Sequence, residues 1–435
     1  MQIQTSLNIE KVFGLHRGDT HHYIERDRVD LDFVGAISQE KHVAIFGCSK
    51  QGKTTLRKMH LGESEYILVT CDPSWTVEDL HASILKEAGC QVSTGRETHA
   101  KVSVGGDAEV GARIKFPFLE YSAKAGTNGN HASTTVETFD DLPVDMADPR
   151  QIIDILKQAS TKKIIVIEEF HYLPERTQRQ FAFKMKTFHE ISDYIFIVVG
   201  VWLEENRLVV LNSDLGGRVA SINADIWPRD DLKKVIVKGG DLLNVSFPQE
   251  FVDQLSNEAA GSVYIVREAC YRALHEIDIY NQQQNRLTYS GNIPLKSIVR
   301  NIAHSLSDYQ SFVYNLGRKP KEFGDFSKLI LYILASATPQ DMLSGISLRK
   351  IKARMNKTGI DLSHIGDNHI RAFLNKIGRL QKESGLSVIL DYDRRNDRVR
   401  ITDKGFILWR KAQKKDDIRE MIFDQSTFID GSRLS

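Results

Sequence analysis

The segment Gly47-Cys48-Ser49-Lys50-Gln51-Gly52-Lys53-Thr54 constrains this chain more than any other. It satisfies G-x-x-x-x-G-K-[ST], follows the apolar run His42–Phe46 and opens a helical pattern at Thr54-Thr55-Leu56-Arg57. A strand, a glycine-rich turn and a helix in that order turn backbone N–H groups and a helix N-terminus toward one anion, which is how phosphates are held. Gly47 and Gly52 let the backbone wrap, Cys48, Ser49, Lys50 and Gln51 carry the N–H groups between them, and Thr55 continues the first turn of the helix. Lys53 is placed to reach the β and γ phosphates and the Thr54 hydroxyl to ligate Mg²⁺. The alternative is a chance match in a Gly/Lys/Thr-rich turn, against which the flanking strand and helix both stand.

A second pattern supports the first. Ile164-Ile165-Val166-Ile167 runs straight into Glu168-Glu169, an apolar strand ending in two carboxylates, as in a Walker B strand. Such a strand beside the phosphate loop delivers Glu168 toward Mg²⁺ and Glu169 toward the water that attacks the γ-phosphate. A solvated acidic strand end is the plainer alternative.

The rest of the chain agrees with an α/β core. Apolar runs at His42–Phe46, Tyr66–Cys71, Ile164–Ile167 and Tyr194–Val201 alternate with helical patterns at 54–60, 76–89, 149–159 and 176–192, as strands buried on both faces alternate with crossover helices. The expected divisions are an α/β core with the phosphate loop over 1–240, a helical unit over 241–314, a third unit over 325–412 and a tail over 413–435. A glycine- and Ser/Thr-rich stretch at about 97–146 reads as an inserted β-hairpin, and 315–324 as a linker.

With 435 residues, 41% apolar and 26% charged, the chain is neither a disulfide miniprotein nor broadly disordered. Four scattered cysteines form no C-x-x-C pair, so a zinc knuckle is not expected. The apolar-rich stretches 195–203 and 329–337 are far shorter than the roughly 20 residues that span a bilayer. No membrane partner and a cytoplasmic location are the expectations. Residues 325–412 carry 17 Lys/Arg against 9 Asp/Glu, an excess of eight that leaves the remainder at −7 for a total of +1. The positive field is concentrated at one end.

The phosphate loop, the Tyr66–Trp75 stretch, Glu168-Glu169-Phe170-His171-Tyr172-Leu173 and the basic C-terminal unit together resemble the AAA+/STAND branch of P-loop ATPases, over roughly residues 20–410. The likeness is to origin-recognition ATPases and bacterial defence ATPases. It implies a parallel-sheet P-loop core, a small helical lid, a C-terminal winged helix, ATP and Mg²⁺ as ligands, and a homo-oligomeric, nucleotide-driven switch. It further implies Tyr23 and Arg26 beside the adenine, and Arg218 as an arginine reaching a neighbouring subunit's nucleotide, the alternative for Arg218 being a surface ion pair. The chain departs from the family at two sensor positions. Residues 195–202 end without an Asn or Thr, leaving Asn206 or Glu205 as substitutes, and Tyr264 stands at the lid's arginine position with Arg267 one turn on.

The pattern of residues 326–337, 347–356 and 367–384 followed by a hairpin at 386–392 and 398–402 resembles a winged helix. Arg371, Asn375, Arg379 and Lys382 recur at helical spacing, and with Lys350, Arg354, Arg394 and Arg395 they form a candidate footprint for duplex DNA. Protein docking and a purely structural role are the alternatives. Antiphage defence with a companion effector protein, or replication initiation, is what the resemblance implies about context; a nucleotide-bound scaffold that hardly hydrolyses ATP is the competing function.

Overall fold

The computed structural model describes residues 7–14, 22–93, 112–115, 142–306, 308–318, 325–358, 364–383 and 388–423. Its centre is a five-stranded parallel sheet of β1 (His42–Phe46), β2 (Tyr66–Thr70), β3 (Ile164–Glu168), β4 (Ile195–Val199) and β5 (Val219–Asn223), in the order β2-β3-β4-β1-β5. Along β1, Val43 and Ile45 join one buried cluster with Val29 and Phe33 of the helix Asp27–Ser38. Ala44 and Phe46 join the other, packed on the helices Val77–Glu87, Pro149–Ala159 and Glu175–Ile191. Alternate side chains thus enter opposite layers, which is why these strands read as unbroken apolar runs.

Two crossover helices begin where the sequence places caps. Thr76 closes a capping box with Asp79, and Asp148 accepts from Arg150 N–H ahead of Pro149 at the first helical position. In the sheet β3 is not adjacent to β1, because β4 pairs with both. β5 lies on the other side of β1 and escaped the sequence reading, since Val219-Ala-Ser-Ile-Asn223 is only partly buried and its composition is not that of a buried strand.

Within the inserted stretch Ala112–Lys115 and Leu142–Val144 pair antiparallel as the two strands of a hairpin, and Gln91–Ser93, ahead of it, adds a third strand; residues 97–111 and 116–141 lie outside those described.

Beyond the sheet, the helices Gln249–Glu258, Val263–Glu276 and Leu295–Leu306 pack together. Their core is continuous with the C-terminal unit, because Leu274 and Ile302 belong to the same buried cluster as Leu334, Phe406 and Trp409. That unit runs helix Asp325–Ala335, short helix Pro339–Ser344, strand Ile346–Ser347, helix Leu348–Asn356, helix Asp367–Glu383 and hairpin Leu390–Asp393/Arg398–Ile401. The short strand pairs with Arg398–Ile401, completing the three-stranded wing of a winged helix. Within the expected tail, Lys415–Ile422 is a helix whose Ile418 and Ile422 are buried, and Ile422 lies over Gly317. No helix among the described residues is long and apolar enough to cross a membrane.

Candidate functional site

The phosphate loop leaves β1 at Phe46 and ends where the helix Lys53–His60 begins. Three of its residues have positive φ: Gly47 at +138°, Lys50 at +61° and Gly52 at +82°. A Cβ on Gly47 would lie 3.0 Å from Asp225 Oδ1, so this position requires glycine for both conformation and space. Asp225 itself accepts the Cys48 N–H at 2.9 Å and fixes the start of the loop. Trp227 Nε1 donates to Gln51 O at 3.2 Å and fixes its far side. Neither residue carries a recognisable motif, and both follow the unread strand β5.

The first N–H groups of the helix Lys53–His60 have no intrahelical partner, so they and the helix dipole face the cavity at its N-terminus. Lys53 Nζ lies over the loop, donating to Gly47 O at 3.2 Å and Cys48 O at 2.6 Å. Burial lowers its pKa, while Asp225, Glu169 and Glu168 act to keep it charged. An ammonium satisfied only by carbonyls is the group an incoming phosphate would engage.

A cavity of about 270 Å³ opens over this loop. It brings together Ser49, Lys50, Gln51, Gly52, Lys53, Thr54, Thr55, Glu168, Glu169, Tyr23 and Arg26, residues that the sequence places far apart. Arg26 is 2% exposed; its guanidinium stacks 4.4 Å from the Trp227 ring centroid, Nη1 donates to Ala224 O, and Nε and Nη2 lack partners among the described residues. Tyr23 donates its hydroxyl to Asp30. Tyr264 and Arg267 line the same cavity: Lys50 Nζ stands 4.7 Å from the Tyr264 ring centroid, and Arg267 donates to the carbonyls of Val12, Phe13 and Gly14.

Although β3 is one strand removed, Glu168 Oε1 comes within 3.5 Å of the Thr54 hydroxyl. One hydroxyl and one carboxylate suit Mg²⁺, which keeps most of its shell as water and substrate phosphate. Among the described residues no group of three or more His, Cys, Asp or Glu is arranged to hold a metal ion by itself. Glu168 has a second partner that the sequence did not reveal. Arg57, one turn into the helix, is 1% exposed, places Nε 3.3 Å from Glu168 Oε1 and lies over the Tyr66 ring. Burial raises the Glu168 pKa and Arg57 opposes the shift.

Glu169 adopts φ +58°, a conformation costly for a residue with a side chain and commonest at functional sites. Burial and the neighbouring Glu168 charge raise its pKa. Its Oε2 lies 3.4 Å from His171 Nδ1. That nitrogen accepts the Val201 N–H, and burial holds His171 neutral with a pKa lowered to about 3, so the approach is not an ion pair.

Of the sensor substitutes, Asn206 accepts the Ser221 hydroxyl at 3.2 Å, and neither it nor Glu205 lines the cavity. Arg218 stands at the opposite end of the sheet, where its carbonyl accepts His42 N–H, about 13 Å along β1 from the loop. Its guanidinium meets Glu190 at 3.2 Å and Asp214 O.

The winged helix is docked on this site. Ser49 N–H donates to Thr402 O at 3.0 Å, Cys48 Sγ to Ile401 O at 3.4 Å, and Lys404 Nζ to Gly261 O at 2.7 Å while lying 3.9 Å from Asp225. On the Walker B side Lys382 Nζ donates to His171 O at 2.5 Å. The charge segregation of the sequence appears here as cross-domain pairs, Arg394 with Glu175 and Lys411 with Glu258. The basic residues proposed to meet DNA are therefore divided. Arg379 and Lys382 line a groove against the core; Arg394 pairs across that groove; Arg371 is bidentate to Asp397; Lys350 and Arg354 both engage Asp341; the side chain of Arg395 is exposed. In this arrangement the stripe is not one open face.

No family model matches the sequence, and no curated protein does. Among solved structures, the chain is similar to a Walker-type ATPase of Pyrococcus abyssi, with a TM-score of 0.52 at 12% identity, covering 89% of this chain and 96% of that one. Matches also include the Orc1 protein of Aeropyrum pernix in complex with DNA (TM-score 0.40, 11% identity, 96% of each chain). Cdc6p of Pyrobaculum aerophilum matches with a TM-score of 0.38 at 10% identity, over 95% of this chain and 97% of that one. The first of these shares its fold with this chain, which is the P-loop ATPase fold that the motifs imply.

Proposed function

We propose that this protein binds and hydrolyses ATP with Mg²⁺, and that the nucleotide state sets whether its winged helix stays docked. The observation that carries the reading is the double use of the phosphate loop. One side lines the cavity with Lys53 and Thr54, while Cys48 and Ser49 bond to the end of the wing. Phosphates entering the loop would therefore meet the same backbone that holds Thr402.

Gly47 to Thr55 would hold the phosphates, Thr54 and Glu168 the Mg²⁺, and Arg26 and Tyr23 would stand at the base. The metal supplies charge neutralisation on the phosphate oxygens. Glu169, with its raised pKa and no cationic partner at His171, is the base that takes the proton of the attacking water. Lys53 stabilises charge developing on the γ-phosphate. Arg218, far from its own cavity, would act on the nucleotide of a second copy, which makes a homo-oligomer part of the proposal. Undocking would release Lys382 from His171 O and open the groove that Arg379 and Lys382 line to duplex DNA or a companion protein; antiphage defence is the setting that the family resemblance implies.

The competing reading, a nucleotide-bound scaffold or DNA-binding regulator with little turnover, is favoured by one observation: Val199, Gly200 and Val201 line the cavity where a polar sensor would stand. Hydrolysis by the intact protein with and without duplex DNA separates the two. DNA-stimulated turnover supports the switch, and ATP binding with negligible turnover under both conditions supports the scaffold.

A further inference from the structure

The groove between the ATPase core and the winged helix has a chemistry that the nucleotide cavity does not use. It encloses about 680 Å³, within the range of pockets that bury small ligands. Arg179 and Arg207 from the core and Arg379, Lys382 and Arg394 from the winged helix converge on it. Of the acidic residues on its walls, Glu175 is engaged by Arg394 at 3.1 Å, Asp391 accepts Leu203 N–H at 3.4 Å, and burial raises the Glu204 pKa while the Arg207 charge opposes the shift. Lys382 and Arg207 donate to neutral acceptors, the His171 carbonyl and the Gln178 amide oxygen. Five cations and three carboxylates thus converge on one concave site. The Lys382 pKa is lowered by burial and by the Arg207 charge.

An aromatic surface completes the site. Tyr172 is 44% exposed at the groove, and its ring lies 4.3 Å from the buried His171 ring at an interplanar angle of 31°. A tyrosine backed by a second ring presents a rigid face to a planar ligand, and cations beside such a face are the combination that binds a base and its phosphate.

We propose that this groove binds a phosphorylated ligand with a stackable ring, a nucleotide unit that is either free or part of a single strand, held by Arg179, Arg207, Arg379 and Lys382 with its base on Tyr172. The site is separate from the phosphate loop and bridges the two domains. Its occupant would compete with His171 O for Lys382, and so act on the docking contact nearest Glu169.

The test uses the full chain carrying Lys53→Ala, so that the phosphate loop does not contribute. A fluorescein-labelled octathymidylate is titrated at low salt and competed with thymidine 5′-monophosphate or with an eight-base-pair duplex. Tyr172→Ala is expected to weaken octathymidylate binding about tenfold, in line with a lost stacking contact. Arg179→Glu, a change at an exposed residue, is expected to weaken it several-fold and to flatten its salt dependence. Arg176→Glu, on the same helix but outside the groove lining, should leave it unchanged. Competition by the mononucleotide at similar concentration identifies a free nucleotide as the ligand, and competition only by strands identifies a single strand; both support the site. Three results would overturn it: no binding of either probe, binding indifferent to Tyr172→Ala and Arg179→Glu, or a duplex that binds more tightly than the strand.

Discussion

The backbone N–H of Ser49, in the phosphate loop, donates to the carbonyl of Thr402, 353 residues beyond it at the end of the wing, at 3.0 Å. A loop whose N–H groups serve phosphates has given one of them to the winged helix. The electrostatic partner of this contact is Lys404, which joins Gly261 O to the vicinity of Asp225, the residue that also holds Cys48 N–H. Docking of the winged helix and geometry of the loop therefore rest on the same few atoms.

Lys404→Met removes the buried ammonium and keeps the side-chain length. The expected outcome is faster amide hydrogen exchange at Ser49 and along residues 398–402, with the strands β2 and β3 unchanged. Equal protection at Ser49 in both proteins would show that the hairpin docks without Lys404.

Glu169→Gln keeps the size of the side chain and removes the base. Turnover should fall by roughly 10²–10⁴-fold with ATP affinity retained. Because burial and the Glu168 charge raise the Glu169 pKa, the acid limb of the wild-type rate should lie above the ordinary carboxylate range and disappear in the variant. An unchanged rate would remove Glu169 from the chemistry.

Arg57 is paired with Glu168 inside the protein, and deleting one partner leaves the other carboxylate buried and uncompensated. Arg57→Met should cost about 3–5 kcal/mol in denaturant unfolding, and the double variant Arg57→Met/Glu168→Gln should recover much of it. If the double variant is no more stable than the single one, the pair is not the source of the loss.

Acid should destabilise the fold well before its carboxylates titrate. His22, His42 and His81 are buried, each with a ring nitrogen on a backbone carbonyl, and burial lowers each pKa from 6.5 to about 4. The unfolded chain takes up these protons first, so stability is present above pH 6.5 and is lost progressively toward pH 4. At pH 5 the loss is on the order of 2 kcal/mol per histidine by linkage. The raised pKa values of Glu168 and Glu169 act in the opposite sense. A melting temperature that fails to drop between pH 7.5 and 5 would contradict the assignment of His22, His42 and His81 as neutral buried imidazoles.

Much of the core could be read in advance for a physical reason. β1, β3 and β4 are buried on both faces, so their unbroken apolar composition is a direct consequence of their place in the sheet. The loop was legible because few residue types suit its backbone: Gly47 has φ +138° with Asp225 3.0 Å from where its Cβ would be. β5 is half-buried and was not legible, and with it went Asp225 and Trp227, which anchor the loop. Arg57 looked like any helix cation, because nothing local distinguishes an arginine that turns inward to a strand 111 residues away. The basic stripe on Asp367–Glu383 was legible as a pattern, but periodicity does not say whether such a face meets solvent or a neighbouring domain. Here Lys382 meets His171.

The most direct test of the central claim is Mg²⁺-dependent ATP hydrolysis by the purified chain beside Lys53→Ala, since Lys53 is the residue through which the loop would act on the transferring phosphate. The account predicts ATP turnover in the wild type that is abolished in Lys53→Ala and restored by no concentration of Mg²⁺. Equal turnover in the two proteins, or no ATP binding by the wild type, would contradict it.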